Sequence, residues 1–323
     1  MHSEIALIIC TRNNHSKLEL TLKNLEKILP SGIQLVVVDQ STEDNRAALS
    51  LKIPVTYIRT PHELGLSRAR NTAIQSTRAS VLAWTDDDCI VTKEYLLQLL
   101  SIAKKSSTAK QQNIAGVCGR TEPYLPTKPS SLFHCPCTFR KEDKTPVTDV
   151  KTHWKHVGLG NNMVFFRYIF EDLGFFKEWL GVGSIGESGE DGEYMLRCLI
   201  AGKTMLYDDR LLIYHNRWLS DTQLRAQHLK YDCGGLAVYG YYSFLGVNNC
   251  WEDFNQVIDR NTSAIISSIR EIKQSPSKLF HNLKATLQET YSFFKGLTLA
   301  VLFSKVLPSP EKKLVIDYRA KHG

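Results

Sequence analysis

No internal repeat and no low-complexity tract interrupts these 323 residues, which excludes repeat arrays and long disordered stretches. The apolar run Phe293 to Leu307 is broken by Lys295 and Lys305 and falls short of the ~20 residues that a spanning helix needs. No charged-then-apolar leader opens the chain. Met1 runs almost directly into the strand-like Ile5 to Ile9, so a cytoplasmic protein is expected. Paired metal-binding cysteines are also missing. The eight cysteines are scattered, and Cys135 and Cys137 beside His134 have no second cluster to complete four ligands, so all are read as reduced thiols.

A basic stripe across the main fold is absent too. The net charge is +7, but from Asn255 onward eleven Lys and Arg stand against five Asp and Glu. The rest of the chain is nearly neutral, which argues against a nucleic-acid partner. The basic tail leaves two readings of the Phe293 to Leu307 run: a helix packed on the main fold, or one lying peripherally in an anionic membrane surface.

An apolar content of 43% with 23% charged residues suits a packed core. Strands are expected at Ile5 to Cys10, Gln34 to Val38, Val55 to Ile58, Val81 to Trp84 and Ile114 to Cys118. Between them, Leu18, Leu22, Leu25 and Ile28 recur at helical spacing, and Tyr95 to Ala103 is a second amphipathic stretch. Such alternation predicts βαβ units and a mostly parallel sheet. A long loop is expected over Thr121 to His153, then a glycine turn at Gly158 and Gly160, the apolar Met163 to Phe166, and a helix from Glu190 through Leu199. Two short strands, Thr204 to Tyr207 and Leu211 to Tyr214, should follow, with helices from Leu219 onward.

Ligands of open α/β sheets bind beyond the carboxyl ends of the strands, and the residues there are polar: Thr11-Arg12-Asn13, Asp39 and Asp86-Asp87-Asp88. Three adjacent carboxylates repel one another unless a cation sits among them, and a hard divalent ion shared with substrate phosphates is the usual solution. The bland alternative is a solvated turn or cap before Thr92 to Glu94. Glu190-Asp191, between Gly189 and Gly192, forms a second acidic centre. It can cap a helix, or take a proton from a hydroxyl. No Ser-His or Cys-His arrangement competes with it.

The motifs Ala6-Leu7-Ile8-Ile9-Cys10-Thr11-Arg12-Asn13, Val36-Val37-Val38-Asp39-Gln40-Ser41, Gly65-Leu66-Ser67-Arg68-Ala69-Arg70-Asn71 and Thr85-Asp86-Asp87-Asp88 come in one order. Gly160-Asn161-Asn162-Met163 through Arg167, Gly174-Phe175-Phe176 and Gly189-Glu190-Asp191-Gly192-Glu193 with Arg197 follow. Together, over about residues 4 to 216, they resemble family 2 glycosyltransferases. The resemblance implies a GT-A fold over 1–218, an α/β architecture with a mostly parallel central sheet, and a helical, basic extension over 219–323. It implies a metal-dependent, inverting transfer of a sugar from a nucleoside diphosphate donor, UDP-linked or of another base, to a hydroxyl of a saccharide or lipid-linked acceptor.

Carried over by position, Thr11, Arg12, Asp39, Arg70, Asp86 and Asp87 resemble donor-binding residues, with Asp39 accepting a ring N–H of the base. Asp88 resembles the metal-binding end of the DxD motif, with Asp86 and His215 as further ligands of Mg²⁺ or Mn²⁺. Asp191 resembles the catalytic base and Glu190 its companion, while Asn161 and Asn162 fall on the acceptor side. Cys10, Arg12 and Gln40 depart from the family's usual residues, all near the base pocket. Plain structural roles stand beside these: Asp39 as a helix cap, Arg70 as a surface charge, His215 as a core histidine. A sugar nucleotidyltransferase of similar sheet should open with a glycine-rich phosphate loop, which Thr11-Arg12-Asn13-Asn14 is not. A non-catalytic saccharide-binding protein of the same fold would tolerate loss of the acids, and every one is present.

Overall fold

The computed structural model describes residues 4–43, 51–61, 65–124, 133–150, 157–274, 279–306 and 311–322. The helix that Asp39 would cap near Thr42, the parts 125–132 and 151–153 of the expected loop and the end of the apolar run at Leu307 fall partly or wholly outside them. Two compact units divide the chain: Met1–Glu178 with Asp191–Asp221, and Trp179–Glu190 with Thr222–Gly323.

In the first unit, β1 (Ile5–Thr11) leads into α1 (His15–Ile28), then β2 (Ile33–Asp39), β3 (Val55–Arg59), α2 (Gly65–Ser76) and β4 (Val81–Asp86). Helix α1 forms because Leu18, Leu22 and Leu25 make one buried face, and it stops at Leu29, where Pro30 disfavours helical backbone and Leu29 is extended. Next come β5 (Cys89–Val91), α3 (Lys93–Ala103), the short α4 (Ser106–Ala109), β6 (Ile114–Pro123), β7 (Phe133–His134), β8 (Asn162–Phe166) and α5 (Tyr168–Leu173). After α6 (Glu190–Ile200) the unit ends with β9 (Thr204–His215) and β10 (Leu219–Ser220), which pairs with β7.

Among the described residues, eight strands form one sheet in the order β3-β2-β1-β4-β8-β6-β9-β5. The β3-β2-β1-β4 side is parallel. Strand β8 is antiparallel to both β4 and β6, β5 is antiparallel to β9, and β6 is parallel to β9. The α/β architecture with a large, mostly parallel sheet is therefore present. The two strands expected over 204–214 are instead one, β9, and its pairing with β6 jumps from Asp208 to Leu212. The polar Asp208-Asp209-Arg210 bulges out there, closed by a hydrogen bond from the Arg210 backbone N–H to Asp208 Oδ1 at 3.0 Å.

Alternate residues of β1 and β2 bury Ile5, Leu7, Ile9, Leu35 and Val37 against α1 and α3. Beneath β4 and β8, Trp84, Phe165, Phe170, Phe176 and Tyr194 form an aromatic cluster with ring centroids as close as 4.7 Å. Each fully buried aromatic of this kind contributes about 1.5–3 kcal/mol through burial. The cluster fixes the loop before α6: Asn71 Nδ2 donates to the Phe176 carbonyl and the Phe176 N–H to Asn71 Oδ1. Arg197, buried with Glu193, donates to the carbonyls of Leu173 and Phe175.

The second unit is helical: α7 (Asp221–Leu245, its first residue in the other unit), α8 (Cys250–Gln274), α9 (Leu279–Val301) running into a π-helical turn at Leu302–Val306, and α10 (Glu311–His322). Trp179 stacks on Phe303 at 4.1 Å, Lys295 pairs with Glu187, and Ser188 donates to the Lys230 carbonyl. These contacts place Trp179–Glu190 with the helices. Among the described residues, no helix is long and apolar enough to cross a membrane.

Candidate active site

Strand register alone brings the polar residues to one edge. Thr11 sits opposite Asp39, and Cys10 opposite Asp86. Because β8 runs antiparallel to β4 with Thr85 opposite Asn162, Gly160 and Asn161 fall alongside the Asp86–Asp88 turn. Because β5 is antiparallel to β9 with Cys89 opposite His215, His215 lies beside Asp88.

The loops after β1 and β2 are stitched together. The Asn13 N–H donates to Ser41 Oγ at 2.8 Å, and Asn13 Oδ1 accepts from the Thr42 N–H at 2.9 Å. Asp39, fully buried, accepts from the Ser41 N–H at 2.7 Å and from the Tyr57 hydroxyl at 2.5 Å. Arg59 donates to the Ser41 and Thr42 carbonyls. Tyr57 was not legible as a site residue, since its only signal is its place near the end of a strand. Arg12 is exposed.

The three acids of the turn have different surroundings. Asp87 accepts from Thr11 Oγ1 at 2.6 Å and Asn14 Nδ2 at 2.7 Å. Burial and the neighbouring Asp88 charge push its pKa up to about 7 against those two hydrogen bonds. Thr11 thus spends its hydroxyl on Asp87 and ties β1 to the turn. Asp86 is raised by burial and then by Asp88, with Arg70 and His215 opposing and Asp191 adding. Burial also works against ionisation of Asp88, but the hydrogen bond and charge of His215, with Arg217 and Lys17, outweigh it and hold Asp88 low.

His215 Nε2 lies 3.3 Å from Asp88 Oδ1, and its Nδ1 is 2.7 Å from the Pro136 carbonyl. Burial lowers the imidazole pKa, but Asp88, Cys135 and Asp86 raise it to about 10. An Nδ1–H held by a carbonyl leaves Nε2 as the ligating atom once the second proton is lost. Ligand atoms of Asp88, Cys89 and His215 lie within 4.8 Å of one another. A carboxylate with an imidazole fits a divalent ion such as Mn²⁺. The Cys89 thiol fits less well, because burial, then Asp86 and Asp88, push its pKa well up. Cys135, rejected as a metal ligand from sequence, donates through Sγ to the His215 carbonyl at 3.3 Å. His134 turns away to Asp221 at 2.8 Å.

Asp191, in the first turn of α6, accepts from the Gly160 N–H at 2.6 Å and the Gly192 N–H at 2.8 Å. Arg70 Nη2 reaches the Gly160 carbonyl at 3.3 Å, and its guanidinium lies 5.5 Å from the Phe176 ring centroid. Asn161 and Asn162 are buried. Asn161 bonds the Cys137 carbonyl and Thr121, and Asn162 bonds the carbonyls of Arg120 and Leu211. Glu190, also buried, opens α6. The edge therefore gathers an acidic turn with a histidine, an arginine and a further carboxylate, with buried Asp39 at the end of a neighbouring strand.

The fold is that of a GT-A protein. The profile of glycosyl transferase family 2 matches residues 6–174, and the chain belongs to that family. No curated protein matches it in sequence. A mannosyltransferase, PcManGT from Pyrobaculum calidifontis in complex with GDP-Man and Mn²⁺, superposes with a TM-score of 0.54 at 14% identity, covering 93% of this chain and 87% of that one. S. aureus TarS 1-349 gives 0.53 at 12% identity, covering 98% and 92%. In a longer TarS structure the match spans 53% of that chain, at 16% identity and a TM-score of 0.53.

Proposed function

We propose that this protein is an inverting glycosyltransferase that moves a hexosyl group from a nucleoside diphosphate sugar to an acceptor hydroxyl, with Asp191 as general base. The observation that carries this reading is the electrostatic grouping of Asp86, Asp88, His215, Arg70 and Asp191 at one sheet edge. A diphosphate needs the cationic side of that group, and an attacking hydroxyl needs the carboxylate.

Asp39 reads the base. An ionised carboxylate only accepts hydrogen bonds, so it suits the ring N–H that uracil and guanine present. The donor is accordingly a UDP- or GDP-linked sugar, with uridine favoured by the family resemblance and guanosine the base in the PcManGT complex. Thr11 and Asp87 fix the loop that borders this pocket, and exposed Arg12 stands at its rim. Arg70, held over Phe176, faces the diphosphate side.

Asp88 and His215 would hold a divalent ion, with Asp86 nearby. When bound, that ion supplies charge neutralisation for the departing diphosphate. Asp191, fixed by two amide N–H groups, takes the proton of the acceptor hydroxyl, and one base suffices because no leaving-group acid is required. Glu190 accompanies it on the acceptor side, where Asn161 and Asn162 fix the neighbouring loops. The acceptor is a saccharide or a lipid-linked glycan, and the reaction belongs to the cytoplasm.

A thermal-shift screen of nucleotide sugars with Mn²⁺ tests the reading, because a ligand that binds only the folded state raises Tm. A UDP- or GDP-sugar should stabilise the protein and, without acceptor, release nucleoside diphosphate slowly in a metal-dependent manner. No stabilisation by any nucleotide sugar, with no hydrolysis, would contradict it.

A further inference from the structure

Helix α9 has two unlike faces. Its inner face is packed within the helical unit: Glu289 and Ser292 are buried, Leu299 and Ala300 are almost fully covered, and Gly296 lies so close to Cys233 that a Cβ there would come within 2.8 Å of the Cys233 carbonyl. Its outer face is apolar and open to solvent. Leu283, Leu287, Tyr291, Phe294 and Val301 recur at helical spacing, and Leu287, Tyr291 and Phe294 are 60%, 66% and 59% exposed. From Leu283 to Val301 the stripe runs about 27 Å along one helix. Val306, 67% exposed, extends it through the π-helical turn.

Scattered surface apolars need no explanation, but a continuous stripe on one helix marks a surface that something covers. The charges beside it narrow what that is. Between residues 279 and 306 the only acid is Glu289, which is buried and paired with Arg225. Lys284 is exposed, and Lys305 donates its Nζ to the Phe244 carbonyl. A second copy laid on the same face would cover Lys284 with no exposed carboxylate on the helix to receive it. An anionic lipid surface answers both features, since apolar side chains enter the acyl boundary while lysines meet the phosphates. Tyr291 is suited to that boundary, where one end of a ring is dry and the other wet.

We infer that the outer face of α9 is a membrane-docking surface that lies on an anionic leaflet, with Leu283, Leu287, Tyr291, Phe294 and Val301 inserted and Lys284 at the headgroups. The helix lies on the membrane and does not cross it, being too short of apolar residues to span. This inference stands apart from the glycosyltransfer reading and from its site residues.

The test is co-sedimentation of the full chain with vesicles of phosphatidylcholine plus phosphatidylglycerol, and with phosphatidylcholine alone, across a salt series. The expected result is binding to the mixed vesicles that weakens as salt rises, with little binding to the neutral ones. Phe294→Glu and Leu287→Glu should each abolish it. Lys284→Gln should weaken it about fivefold, as one lysine near the surface contributes about 1 kcal/mol. All three positions are exposed, so circular dichroism and nucleotide binding should match the unaltered protein, and the wild-type salt series gives an answer even if a variant misfolds. Equal sedimentation with neutral vesicles, or unchanged binding by folded Phe294→Glu, would overturn the inference. So would a concentration-dependent dimer in light scattering that the same substitutions dissolve, because a second copy would then own the face.

Discussion

The backbone N–H of Gly160 donates to Asp191 Oδ2 at 2.6 Å, while the carbonyl of the same residue accepts from Arg70 at 3.3 Å. One residue at the entry to β8 thus holds the proposed base and the arginine of the donor side. A side chain there would have to push both away. A Cβ at position 160 would lie 2.6 Å from Asp191 Oδ2 and 2.9 Å from Arg70 Nη2.

Gly160→Ala is therefore expected to displace the Asp191 carboxylate. Misplacing a catalytic group by about 1 Å costs on the order of 10²-fold in rate, so kcat should fall by that order with a smaller change in donor KM. Steady-state kinetics on the folded variant check it. Unaltered turnover would mean that Gly160 does not set the position of the base.

The Tyr57 hydroxyl donates to buried Asp39. A hydrogen bond to a charged group is worth about 1.5–3 kcal/mol, so Tyr57→Phe should weaken nucleoside diphosphate binding roughly tenfold or more by loosening Asp39. Asp39→Ala should weaken binding of the free nucleoside even without metal. Calorimetric titration measures both. Equal nucleoside affinity in wild type and Asp39→Ala would reduce Asp39 to an organiser of its own loop.

Metal affinity should depend on pH through His215. Burial disfavours the imidazolium, but Asp88, Cys135 and Asp86 outweigh it and raise the pKa to about 10. The proton is thus held throughout the neutral range and is lost only as pH rises, and a ligating imidazole must be without it. Asp88, held low by His215 against its burial, adds no competing proton. The apparent Mn²⁺ affinity should rise about tenfold per pH unit between roughly pH 6 and pH 8. His215→Gln should flatten that slope, and Asp88→Ala should remove metal-dependent nucleotide binding. A flat profile in the unaltered protein would exclude His215 as a ligand.

The strand ends that carry Asp39 and Asp86 to Asp88 were legible because β1, β2 and β4 are runs of β-branched and apolar residues bounded by polar ones. Helix α1 was legible from its leucine spacing. Strand β5, of three residues, is too short for any periodicity. In β9 the polar Asp208-Asp209-Arg210 looks like a break, and only pairing with β6 shows it to be a bulge. Trp179–Glu190 carries four glycines and no repeat of apolar residues, so its association with the helices comes from tertiary contacts such as Trp179 on Phe303. Gly160 was visible as part of a turn, but its contact with Asp191 arises from the antiparallel placement of β8 beside β4. Spacing along the chain carries no such information.

Asp191→Asn tests the central claim most directly. Asparagine keeps the shape of the side chain and accepts from one of the two N–H groups, Gly160 or Gly192, through its single amide oxygen, but it cannot take the acceptor's proton. Loss of a general base costs ~10²–10⁴ in rate, so transfer from the donor identified by the screen should fall by that factor. Donor affinity, measured by titration on the same preparation, should stay close to that of the unaltered protein. A variant that binds donor and transfers sugar at a near wild-type rate would contradict the assignment of Asp191 as the base.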